Sequence, residues 1–93
     1  MLYVICYDVS HNGRRKKVSD TLLRFGDRVQ KSAFECDLKT EAQLKEVLRR
    51  VRAHTDAKTD TVRAYRICAA CRGEVHCIGL NHAPGPPPPM VVL

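Results

Sequence analysis

The segment "LYVICYDV", residues 2–9, constrains this chain more than any other stretch. It is nearly all apolar and rich in β-branched and aromatic side chains, which reads as a central strand covered on both faces. At 93 residues the chain has room for one domain and a modest core, and so small a domain commonly gains by burying more surface in an oligomer. The strand surfaces on a single carboxylate, Asp8. A block of cations follows: Arg14, Arg15, Lys16 and Lys17.

Beyond the strand, "SHNGRRKKVSDTLLRFG" places Val18, Leu22 and Phe25 at helical spacing with Leu23 beside them. Asn12 is the expected cap and Gly26 suits the end, so the basic block falls in the first turn. "RVQKSAFECDL" is extended but changes phase, with Val29 and Ala33 on one face and Phe34, Cys36 and Leu38 on the other. A bulge, a bend and a very tight hairpin all satisfy that shift. "TEAQLKEVLRRVRAH" predicts an amphipathic helix: Thr40 and Gln43 fit a capping box, and Leu44, Val47, Leu48 and Val51 form one stripe. "DTVRAYRICA" alternates as a strand, and "EVHCIGL" is a further short strand.

This order predicts an α+β sandwich of the ferredoxin-like split βαβ type with an added C-terminal strand, spanning residues 1–80. Helices would cover one sheet face. The other, carrying apolar residues, would be buried in a symmetric homodimer. Residues 81–93, "NHAPGPPPPMVVL", are a polyproline-prone tail with an apolar, β-prone tip. The prolines should keep 84–89 out of the domain's sheet. The tip is either a disordered end or a short strand added to a sheet edge on a partner.

The formal net charge of +6 with clustered arginines points to phosphate polymers as partners. Five cysteines, an odd number, with no apolar run long enough for a signal peptide or a membrane span, predict reduced thiols, a cytoplasmic location and no membrane association.

Asp8 reads two ways. A carboxylate at the end of a central strand can hold a divalent cation, but one alone makes a poor magnesium site. A two-fold axis near Asp8 would bring a second from the other subunit, and the metal could then support phosphodiester hydrolysis without a protein nucleophile. Alternatively Asp8 only bends the loop or caps the helix. Cations at a helix N-terminus oppose the macrodipole, whereas a bound phosphate reverses the sign. Arg14, Arg15, Lys16 and Lys17 are therefore candidate phosphate ligands, against the plainer reading of a solvated charge run. The "CAAC" of Cys68 and Cys71 supplies two of the four ligands of a structural zinc, with Cys77 and His76 or His82 as candidates for the rest. A thioredoxin-like role requires the pair at a helix N-terminus after a strand. Set between two predicted strands, the pair is expected to pack at a strand end. His11 and His54 read as surface residues, and Tyr7 and Phe34 as core or rim residues.

"YDVS" ending a first strand, a basic helix start, "RVQKSAFEC", a charged amphipathic helix and "DTVRAYRICAAC", in that order, resemble the CRISPR-associated endonuclease, family two, over residues 2–80. The resemblance implies a ferredoxin-like homodimer with Asp8 of both subunits facing a shared Mg²⁺ or Mn²⁺. It also implies a site region containing Arg15, Lys17, Arg28, Ser32 and Phe34, with Tyr7 beside Asp8. The implied activity is metal-dependent endonucleolytic cleavage of single-stranded RNA or duplex DNA. The implied alternative is a non-catalytic dimer bridging the subunits of a CRISPR integrase during spacer acquisition. Two departures stand out: His11, Asn12 and Gly13 replace acidic residues that many members carry after the first strand, and Lys31 replaces a common aromatic.

Overall fold

The computed structural model describes residues 1–78 and 90–92, with backbone alone for Cys77 and 90–92. The apolar opening segment forms β1 (Leu2–Asp8), followed by α1 (Asn12–Leu23), β2 (Asp27–Gln30), β3 (Ala33–Asp37), α2 (Glu41–Arg52) and β4 (Thr61–Ile67). β1 pairs antiparallel with β3 on one side and β4 on the other, and the four strands run in the order β2-β3-β1-β4. That is the ferredoxin-like arrangement. The phase change after residue 28 is a tight hairpin: β2 and β3 pair antiparallel, with a register irregularity between Arg28 and Gln30.

Alternation along β1 sends Tyr3, Ile5 and Tyr7 to the helix-covered face, where they meet Phe34 and Cys36 of β3, Val18 and Leu22 of α1, and Val47 and Val51 of α2. The opposite face has no helix over it. It carries Leu2, Val4, Cys6 and Asp8 from β1, and by register Ala33 and Glu35 from β3 and Thr61, Arg63, Tyr65 and Ile67 from β4. Tyr65 there is 49% exposed. Among the described residues no helix is long and apolar enough to cross a membrane.

α2 starts as its sequence predicts. The Thr40 side chain accepts from the Gln43 N–H at 3.1 Å, and the Gln43 side chain reaches back to the Lys39 N–H at 2.8 Å. α1 differs by one residue, because its N-cap is His11 rather than Asn12. The extended His11 backbone leaves imidazole Nδ1 to accept from the Arg14 N–H at 3.3 Å, and Asn12 becomes the first helical residue.

After β4 comes α3 (Ala69–Arg72), then β5 (Val75–Cys77), which pairs in parallel with β6 (Met90–Val92) as a separate two-stranded sheet. The tip of the tail thus pairs with β5 of its own chain. The expected boundary at 80/81 and the proline stretch lie outside the described residues. Cys68 and Cys71 also differ from expectation. Cys68 caps α3 and both thiols are exposed, since the chain leaves β4 into a helical turn instead of continuing as strand.

Gly26 is required for close approach. A Cβ there would stand 2.2 Å from the Glu35 carbonyl oxygen and 2.7 Å from Cys36 Sγ. At Gly73 the nearest atom would be an ordinary 3.6 Å away. Gly26→Ala should therefore cost about 3 kcal/mol in urea denaturation, and Gly73→Ala less than about 0.5 kcal/mol.

Candidate active site

Asp8 ends β1 on the uncovered face, exposed and opposite Thr61. Behind it the sheet is packed and hydrogen-bonded. Tyr7 turns inward, its ring stacked on Phe34 at 6.2 Å between centroids, and both rings are buried. The Tyr7 N–H donates to the Ser32 carbonyl at 3.0 Å, and the Tyr7 hydroxyl donates to the Lys31 carbonyl at 3.4 Å. The Arg28 guanidinium lies 6.0 Å from the Phe34 ring centre and donates to the same Lys31 carbonyl at 2.8 Å. The β2–β3 turn is thereby fastened to the end of β1. The structure thus gathers Tyr7, Arg28, Ser32 and Phe34 at the strand end that presents Asp8.

The basic block divides. Arg15 turns back so that its Nε donates to the Val9 carbonyl at 3.2 Å, one residue past Asp8. Lys16 pairs with Asp20 one turn along the helix at 3.1 Å. Lys17 borders a groove of about 360 Å³ between α1 and α2, together with Arg24, Arg49 and Arg50, on the layer away from the uncovered sheet face. Arg14 is engaged inside the protein: its Nε donates to Asp60 at 3.0 Å.

Asp60 is the residue that sequence reasoning missed. Its carboxylate has no exposed surface, yet it accepts from Arg14, from the Ser10 N–H at 3.2 Å, from the Thr59 hydroxyl at 3.0 Å and from the Asp56 N–H at 2.9 Å. Every lone pair is used, which is what makes a buried carboxylate tolerable. The effect is to clamp the loop after Asp8 against the loop before β4. No sequence signal marks it, because Ser10 and Arg14 lie 50 and 46 residues away along the chain. Register also places Arg63 beside Cys6 on the uncovered face, near Asp8, where its Nη1 approaches the Tyr65 hydroxyl at 3.4 Å.

For a divalent cation, Asp8 is the exposed carboxylate at this strand end. Among the described residues no three His, Cys, Asp or Glu side chains are grouped to hold a metal. His11 is committed to capping α1. The donor set therefore fits magnesium or manganese only if Asp8 is joined by a second carboxylate from another copy and by phosphate oxygens and water.

The hydrogen bond from Arg14, with help from the Asp56 and Ser10 backbone, holds the Asp60 carboxyl well below the usual carboxylate range. A depressed folded value means the clamp's contribution is complete above about pH 4 and is lost as the pH falls further. Asp60→Asn should lower the thermal midpoint at pH 7, and the gap from the parent protein should shrink steadily as the pH is taken below about 4.

Comparison with known proteins gives this geometry a family. The family model described as CRISPR associated protein Cas2 matches residues 1–75. A CRISPR-associated endoribonuclease Cas2 from Chloroflexus aurantiacus is 43% identical over 95% of this chain and 90% of its own length. The solved Streptococcus pyogenes Cas2 superposes with a TM-score of 0.76 at 30% identity, covering 85% of this chain and all of the other. A chain of a partial Cas6-RT-Cas1–Cas2 complex superposes with a TM-score of 0.63 at 31% identity, covering 81% and 87%. With strand order, match length and identity all in agreement, this chain belongs to the Cas2 family.

Proposed function

We propose that this protein acts in CRISPR adaptation as a homodimeric endonuclease that hydrolyses phosphodiester bonds of single-stranded RNA or duplex DNA around Asp8. The observation that carries the reading is the placement of Asp8: an exposed carboxylate, at the end of a strand, on the one sheet face that no helix covers. Pairing two such faces about a two-fold axis buries Val4, Cys6 and Tyr65 and brings the two Asp8 side chains toward a shared cleft. Those carboxylates would hold Mg²⁺ or Mn²⁺, which when bound supplies charge neutralisation at a phosphodiester oxygen and a more acidic water. The chain's own residues do the positioning. Arg28 carries a cationic head on the exposed surface at this strand end to take a phosphate, and the net charge of +6 on each chain draws the polyanion in. Arg15 holds the Val9 carbonyl and so orients the loop that follows Asp8. The buried stack of Tyr7 on Phe34 keeps the strand end from moving under load.

A second reading has its own support. Among the described residues no three potential metal ligands are grouped around Asp8, and the fold matches a chain from a complex containing Cas1. Those two facts favour a scaffold that bridges integrase subunits and holds duplex DNA without cutting it. Its affinity would fall with salt at a slope of about 0.9 per neutralised phosphate.

Two measurements separate these. Asp8→Asn should abolish cleavage of RNA and DNA in Mg²⁺ or Mn²⁺ with nucleic-acid affinity retained, and should stop spacer acquisition in cells. Acquisition that continues unchanged with Asp8→Asn assigns the protein to the scaffold class. For the dimer, sedimentation equilibrium at micromolar concentration should give twice the chain mass, and Tyr65→Glu should shift it to monomer because two buried carboxylates would face the same apolar patch.

A further inference from the structure

The Cys68–Cys71 pair lies outside everything assigned so far. β4 is opposite Asp8 at Thr61 and opposite Leu2 at Ile67, so the pair sits at the other end of the sheet. Seven residues at ~3.3 Å each put Cys68 roughly 23 Å from Asp8. Both thiols are exposed, and the Cys71 N–H donates to Cys68 Sγ at 3.2 Å. Residues three apart on a helical turn have side chains about 5–6 Å apart at Cβ, within small adjustment of what a disulfide spans. Beside Cys68 opens a cleft of about 320 Å³ bordered by Leu2, Ile67, Arg66 and Arg72. Its lining combines apolar Leu2 and Ile67 with the cationic Arg66 and Arg72, the latter 3.7 Å from Asp37.

We infer that Cys68 and Cys71 form a thiol–disulfide exchange site that takes anionic low-molecular-weight disulfides, of the glutathione disulfide class, through the cleft lined by Arg66 and Arg72. The Cys68 thiolate attacks one sulfur of the small disulfide, forming a mixed disulfide and expelling one thiolate. The Cys71 thiolate then attacks Cys68 Sγ, closing the protein disulfide and expelling the second. The protein loses two protons and two electrons, and the small disulfide becomes two thiols. The roles follow from surroundings. Hydrogen bonds from the Cys71 side chain and backbone hold Cys68 below its ordinary thiol value, with Arg66 adding to the effect, and the same contact raises Cys71. Cys36 supplies the contrast within the chain: burial first, then Asp27 and Glu35, push it up to about 11. Closing the disulfide stiffens the turn that carries the chain from β4 into β5. This reaction is independent of Asp8 and of any nuclease activity.

The test uses the whole protein at pH 7, incubated anaerobically with glutathione disulfide and EDTA, then alkylated and digested with trypsin. Cleavage after Arg66 and Arg72 leaves both cysteines in one peptide, "ICAACR". That peptide should lose two hydrogens and resist alkylation, while Cys36 remains a thiol. Cys71→Ser should stop at a glutathione adduct on Cys68, and Cys68→Ser should react at least ~10-fold more slowly at Cys71. Cystamine, a cationic disulfide, should oxidise the pair more slowly than glutathione disulfide at equal concentration, and Arg66→Gln with Arg72→Gln, followed by intact mass because both tryptic sites are lost, should erase that difference. The proposal is overturned if the peptide stays reduced, or if its cysteines are found only in disulfides between chains. It is equally overturned if cystamine reacts as fast as glutathione disulfide with the parent protein.

Discussion

The structure depends on a mismatch between β1 and the rest of the chain. β1 lies in the middle of the sheet and is apolar on both faces, yet the two long helices can shield only one. Helices α1 and α2 close over Tyr3, Ile5 and Tyr7, and nearly all of the buried core forms on that side. On the other side Val4 and Cys6 are only half-buried and Tyr65 and Ile67 continue the apolar surface across β4. A sheet face of this kind gains stability when something apolar covers it, at about 25 cal/mol per Å² removed from water. Another copy of the same face is the simplest cover, because self-complementary patches generate closed two-fold dimers. The same geometry carries Asp8 to the rim of that face. The fold, the uncovered face and the exposed position of Asp8 therefore follow from one strand with two apolar sides.

Charge is distributed with the same economy. The buried Asp60 holds Arg14 and ties Ser10 to the β4 side, so the loop after Asp8 is held from behind by a network with every acceptor occupied. The exposed Asp8, by contrast, has no partner in its own chain among the described residues. One acid stabilises the frame and the other is left available for a ligand. The four neighbouring cations likewise take different tasks: Arg14 and Arg15 hold loops, Lys16 pairs along the helix, and Lys17 faces the groove between the helices. A block that looks uniform in sequence is dispersed because successive helical residues point about 100° apart.

How far the sequence could be read depended on whether a feature was local. The stripe of Val47 and Val51, the Thr40 cap and the alternation of β4 are decided within a few residues, and each is found as its pattern implies. The α1 cap was off by one residue because His11 and Asn12 are both polar acceptors, and only the backbone direction of the incoming loop selects between them. The hairpin at 27–37 could not be told from a bend, since both produce the same shift of phase. The "CAAC" reading failed for a related reason: whether the chain after Ile67 continues as strand or curls into a turn is set by where β4 runs out of partners, at Leu2.

By itself, then, the sequence determined the class of fold, the central strand, the two amphipathic helices and the prominence of Asp8, because hydrophobic periodicity and chain punctuation are properties of neighbouring residues. Tertiary structure alone decided which side of the sheet stays open, that Arg14 belongs to Asp60 rather than to a free basic surface, that Gly26 has no room for a Cβ, and that Cys68 and Cys71 stand exposed on one turn. Each of those outcomes depends on segments distant along the chain meeting in space, and no local pattern records which segments will meet.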